Sequence, residues 1–161
     1  MPKKIDLAAA RTVAGTLYPP PYDEHCRGRQ RTRLGDVAGL TQFGVNVLRL
    51  PPGAWSSQRH WHAREDEFVY VLEGEVTLVS EAGEEVLRAG DCAGFKAGDP
   101  DGHCLQNRGT QDAVVLEVGT RAAAGDAVVY PDIDLRIFDD TPAGRYAHAD
   151  GTLYPPAPRR T

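Results

Sequence analysis

From Gly44 onward the chain alternates between short apolar runs and turn residues. Gly44-Val45-Asn46-Val47-Leu48-Arg49-Leu50 stops at Pro51-Pro52-Gly53, and a second segment runs from Ser56 to His62. Glu67-Phe68-Val69-Tyr70-Val71-Leu72 reaches a turn at Glu73-Gly74, from which Glu75-Val76-Thr77-Leu78-Val79-Ser80 returns. Shorter runs follow at 85–88, 92–95, 103–107 and 113–118, each bounded by Gly, Asp, Asn or Pro. Seven or eight short strands with turns at regular intervals predict an all-β fold, an antiparallel barrel or sandwich. Residues 68–72 are apolar at both parities. Both faces of that strand should therefore be covered, by the core on one side and by an outer layer or a dimer interface on the other.

The flanks read differently. Residues 1–43 form an N-terminal arm with an edge strand, residues 44–120 the core barrel, and residues 121–161 outer strands and a C-terminal arm of the same domain. Tyr18-Pro19-Pro20-Pro21-Tyr22 is incompatible with helix or central strand. At most one short helix is expected, within Ile5 to Ala14. The C-terminal stretch from Asp139 is turn-rich and ends in a Pro- and Arg-rich tail. The hexapeptide GTLYPP occurs at 15–20 and again at 151–156. Two readings stay open: matching arms that dock in equivalent grooves, or coincidence in two Pro-containing tails.

Composition narrows the partners. The 161 residues carry a formal net charge of -5, which argues against a nucleic-acid partner. Arg27, Arg29, Arg31 and Arg33 alternate and on a strand would share one face. An anion-binding ridge is one reading; in an acidic chain a solvated or salt-bridged edge is the preferred one. The three cysteines, Cys26, Cys92 and Cys104, match no zinc knuckle and no disulfide framework, which fits a reducing, cytoplasmic setting. No apolar run approaches membrane-spanning length, so no membrane partner is expected.

The candidate chemistry lies in four residues. His60 and His62 stand at i and i+2, which on a strand aims both imidazoles at one face. Glu67 follows a short turn and heads the next apolar strand, and His103 opens a later one. Convergent N and O donors of this kind suit one divalent metal ion (Zn, Mn, Fe or Ni) with open positions. Ser56 and Gln58 share the parity of the histidine pair, and Leu105 and Asn107 that of His103, so all four are candidate pocket-lining positions. Val69 and Val71 should supply an apolar wall, with Trp55 and Trp61 in an outer layer. His25 and His148 are read as packed or surface residues, and Arg49 and Lys96 as surface charges. No inward cluster of Arg and Lys is expected. The only candidate acid or base apart from the metal ligands is an arm tyrosine, Tyr18 or Tyr154.

Gly53, His60-Trp61-His62, Glu67 and Gly74 resemble the first motif of the cupin superfamily, and Gly90, Gly98, His103 and Asn107 resemble the second. Six residues separate Gly53 from His60, one more than usual. Lys96-Ala97-Gly98 stands where Pro-x-Gly is common, and Asp99-Pro100-Asp101-Gly102 lengthens the loop before His103. The whole chain is similar to small bacterial single-domain cupins with tyrosine- and proline-bearing arms, some of them labelled sugar-phosphate isomerase-like. The resemblance implies a jelly-roll-like barrel (a double-stranded β-helix), a homodimer, and one ion on His60, His62, Glu67 and His103. The function so implied is a metal-dependent enzyme acting on a small sugar-like or carbonyl ligand by isomerase, lyase or dioxygenase chemistry. The alternative is a non-catalytic small-molecule-binding module with a regulatory role.

Overall fold

In the computed structural model, residues 4–157 are described; the Pro- and Arg-rich tail at 158–161 lies outside them. In chain order the strands are β1 (Thr12–Ala14), β2 (Gln30–Arg33), β3 (Phe43–Leu50), β4 (Trp61–His62), β5 (Glu67–Glu73) and β6 (Glu75–Ser80). They continue with β7 (Gly83–Arg88), β8 (Cys92–Phe95), β9 (Cys104–Gln106), β10 (Ala113–Thr120), β11 (Val128–Tyr130) and β12 (Leu135–Ile137). One six-stranded sheet runs β1-β2-β3-β10-β5-β8, faced by three-stranded sheets β7-β6-β9 and β12-β11-β4. All strand pairs are antiparallel.

The period-2 pattern sets which side chains enter the barrel. On β5, Val69 and Val71 are buried, whereas Phe68, Tyr70 and Leu72 on the other parity are exposed. Leu48 and Leu50 of β3, Ala113 and Val115 of β10, Val76 of β6 and Leu105 of β9 join them in one apolar core. Val69 and Leu105 of this core also line the cavity that holds Glu67 and the histidines. The β5–β6 turn needs glycine: Gly74 has φ +72°, and a Cβ there would stand 2.7 Å from the Asp112 carbonyl oxygen.

The arms are structured. The N-terminal arm contributes a single turn of 3-10 helix at Leu7–Ala9 and then β1 and β2, which extend the barrel sheet. The helical turn expected within Ile5 to Ala14 is thus present, and two more short ones occur, a 3-10 turn at Glu24–Cys26 and an α-helix at Leu34–Val37. A second apolar cluster joins both arms: Tyr18, Cys26, Val128, Tyr130 and Leu135, with Tyr22, Tyr146 and Tyr154 packed against it. The two GTLYPP segments occupy different surroundings. Tyr18 is buried. Tyr154 stacks on His148 and donates from its hydroxyl to the Asp134 carbonyl at 2.6 Å. His25, for its part, stacks on Trp55 at 4.1 Å between ring centroids.

The arginine ridge expected at a solvated edge does not form. Only Arg31 and Arg33 lie on a strand, because β2 begins at Gln30. Arg27 is ion-paired with Asp23, and Arg33 is exposed beside Asp36. Arg29 is buried, and Arg31 turns inward onto Glu117.

Candidate metal centre

The second segment of the sequence pattern is only partly a strand. Residues 56–59 bend, and regular pairing resumes at β4. His60 is fixed by a bridge to His103, in which the His60 amide donates to the His103 carbonyl at 3.1 Å and the His103 amide to the His60 carbonyl at 2.8 Å. One residue further on, His62 pairs with Val128 of β11. Glu67 begins β5 opposite Gly119 and Phe95. All four line one cavity.

Their donor atoms converge. His60 Nε2 and His62 Nε2 are 3.1 Å apart. Glu67 Oε2 stands 3.0 Å from His103 Nε2, 3.3 Å from His62 Nε2 and 3.6 Å from His60 Nε2. Donors about 2.1 Å from a shared first-row ion are themselves roughly 3.0–3.4 Å apart, so the spacing of His60, His62 and Glu67 fits one ion, while His103 meets this group through Glu67 Oε2 and stands outside the mutually close set. Oε2 of Glu67 is buried without a hydrogen-bond partner, as an atom reserved for a ligand bond would be. Burial opposes charge on Glu67, yet the imidazoles of His103, His60 and His62 hold its carboxyl well below the usual range. Burial works against a proton on His62 as well, but Glu67 and Asp126 push it up to about 9. Both shifts mark a centre that calls for positive charge.

Outer contacts orient two of the rings. The Gln58 carbonyl lies 2.9 Å from His60 Nδ1, and Asp126 Oδ2 lies 2.5 Å from His62 Nδ1. Each contact engages Nδ1 and turns Nε2 toward the centre, the usual support for a ligating histidine. His103 is held differently, its ring stacked flat on Phe95 at 3.4 Å.

The cavity beside these donors measures about 340 Å³. Ser56 lines it, and its Oγ accepts from the Leu105 amide at 2.9 Å. Gln58 does not line it. The bend at 56–59 breaks strand parity, and its side chain instead donates to the Tyr22 carbonyl at 2.7 Å. Asn107 is also absent from this cavity. It lies past the end of β9 and ties down a turn, donating to the Leu50 and Gln111 carbonyls and accepting from the Gly109 amide.

Several lining residues come from places that strand parity could not connect. Tyr18 is among them, as the sequence suggested; Tyr154 is not, and Tyr146 takes a place beside Tyr18. Glu65, in the turn after His62, reaches the cavity while accepting from the Ala122 amide at 2.8 Å. Arg29, Arg31 and Arg121 line it too, contrary to the expectation that no basic cluster faces inward. Lys96 is exposed and Arg49 pairs with Asp112, both at the surface.

Comparison with known proteins agrees with this architecture. The cupin domain family matches residues 46–119. A sugar phosphate isomerase from a cupin superfamily, from Silicibacter pomeroyi, has a TM-score of 0.87 and 42% identity over 95% of this chain and 97% of its own. This chain belongs to the cupin superfamily. A protein from Acidithiobacillus ferrooxidans described as a candidate sugar phosphate isomerase is 32% identical, with a TM-score of 0.63 over 78% of this chain and 74% of its own. A predicted oxalate decarboxylase from Thermotoga maritima, 18% identical with a TM-score of 0.59 over 74% of this chain and 100% of its own, shares the fold. No curated protein sequence matches the chain. In this cupin no helix among the described residues is long and apolar enough to cross a membrane.

Proposed function

We propose that this cupin is a metal-dependent enzyme that moves a proton on a small oxygenated molecule, a sugar or related carbonyl compound, in isomerase- or lyase-type chemistry. The observation that carries the reading is the convergent group of His60, His62 and Glu67, with His103 Nε2 3.0 Å from Glu67 Oε2, opening onto a cavity that also holds acid–base groups outside that set. His60, His62 and His103 through Nε2, and Glu67 through Oε2, would hold one divalent ion. Such an ion polarises a carbonyl or hydroxyl oxygen and acidifies the neighbouring C–H bond.

The chain's own residues do the rest. The Gln58 carbonyl and Asp126 keep two imidazoles aimed at the centre. Val69, Leu105 and Phe95 make part of the wall apolar, which excludes water from one side. Burial raises the hydroxyl pKa of both Tyr18 and Tyr146, so both stay protonated and can donate to a substrate oxygen. Glu65 is the carboxylate available as proton acceptor, since Glu117 is committed to Arg31. The Silicibacter relative's name supports an isomerase over an oxygenase.

Two measurements test the reading. Elemental analysis of untagged protein should find about one first-row ion per chain, lost in His103→Ala. Proton NMR in D₂O, with a panel of aldoses, ketoses and their phosphates, should show C–H exchange on at least one compound. Metal without exchange on any compound would sink the enzyme and favour a binding module; no metal under any loading would sink the ligand assignment.

A further inference from the structure

Three guanidinium groups reach the cavity, and two of them are neutralised. Arg31 makes a bidentate pair with Glu117, at 2.7 and 2.9 Å. Arg121 donates to Asp36 at 3.0 Å and to the Leu40 carbonyl. Arg29 is different. It is only 9% exposed. Its Nε donates to the Gly15 carbonyl at 3.0 Å and its Nη1 to the Ser56 carbonyl. The Tyr18 ring lies 5.8 Å from its guanidinium carbon. Among the described residues no carboxylate pairs with it.

Backbone carbonyls satisfy N–H groups but supply no formal charge. A buried cation is costly unless a counter-charge accompanies it. The chain places this cation in the wall of the cavity that His60, His62, Glu67 and His103 also line, with Ser56, Tyr18 and Tyr146. The planar fork of a guanidinium matches a carboxylate or a phosphate, and Nη2 makes no hydrogen bond among the described residues.

We propose that Arg29 is the anion-binding residue of this cavity, and that the substrate carries an oxyanion, carboxylate or phosphate, beside the oxygens presented to the four-donor centre. The proposal rests on reading the cavity as a small-molecule site. Arg29 also joins the N-terminal arm at Gly15 to Ser56, so a purely structural role must be separated from it. A structural staple would need its donors but would be indifferent to added anions.

Calorimetric titration of the full chain with inorganic phosphate, and separately with acetate, makes the distinction in nickel-loaded and EDTA-treated protein. One anion should bind per chain, and Arg29→Gln should weaken binding at least tenfold in both preparations. The tighter of the two anions identifies the substrate's charged group. Equal affinity in wild type and Arg29→Gln, or no binding of either anion to wild type, overturns the proposal. Binding that disappears with EDTA but ignores Arg29→Gln leaves the metal reading standing and removes this one. Arg29-dependent binding in a protein that takes up no metal does the reverse. Should Arg29→Gln fail to fold, the Arg29 Nε–Hε resonance of wild type, assigned by its absence from Arg29→Lys, gives the same answer. It should shift and saturate with phosphate, and a stationary peak overturns the proposal.

Discussion

His60 and His103, far apart in the chain, face each other in an antiparallel bridge, their ring centroids 4.9 Å apart. Main-chain hydrogen bonds, rather than side-chain packing alone, set the spacing of these two imidazoles. Glu67 Oε2 lies within 3.6 Å of both Nε2 atoms. Glu67→Gln keeps the shape and removes the charge that balances a cation. Metal affinity should fall by more than the roughly 10–100-fold typical of losing an outer partner. Saturating metal should stabilise wild type by about 2.7 kcal/mol at a free concentration 100 times Kd, and the variant far less. Thermal melts with and without added metal check both; equal metal-induced stabilisation in the two proteins contradicts the ligand assignment.

Asp126 supports His62 from outside the donor set. Asp126→Asn should lower metal affinity by about 10–100-fold while leaving the ligands in place. Competition against a chromophoric chelator measures it. An unchanged affinity would mean that β11 and its preceding loop merely cover the site.

Asn107 provides a control from the same sequence motif. It is 1% exposed and makes three hydrogen bonds to the main chain, none of them in the metal cavity. Asn107→Ala leaves buried partners unsatisfied and should cost about 1–3 kcal/mol or more in urea unfolding. Its metal content should match wild type. A stable variant that fails to bind metal would place Asn107 in the site after all.

The outer parity of the six-stranded sheet makes a further prediction. Phe68, Tyr70 and Leu72 project outward from β5 and are 38–44% exposed, next to Leu116 and Val118 of β10. An apolar patch of this kind is unusual on a monomer. A homodimer through this face should give twice the 17.5 kDa chain mass by light scattering. Tyr70→Glu should return the protein to one chain mass; a wild-type monomer would refute the interface.

The barrel was legible in the sequence because alternation and turn residues are local signals, and strand parity on β5 sorts Val69 and Val71 from Phe68 and Tyr70 without further information. The meeting of His60, His62 and Glu67 was legible for the same reason, since a short turn between two strands returns the chain on itself. Parity failed at Gln58 because residues 56–59 bend, and at Asn107 because β9 has already ended. Arg29, Arg31 and Tyr146 were not legible as cavity residues, nor Asp126 as the support of His62. Their positions follow from how the two arms fold back over the barrel, which no periodicity within those arms encodes.

That fold-back divides the cavity between two parts of the chain. The region matched by the cupin family runs from residue 46 to 119 and contains His60, His62, Glu67 and His103. Tyr18, Arg29, Arg31, Asp126 and Tyr146 all lie outside it. A minority of the cavity wall, Tyr18, Arg29, Arg31 and Tyr146 included, is thus built from outside the matched region. Substitutions in the arms can therefore reshape what the cavity admits without touching His60, His62, Glu67 or His103.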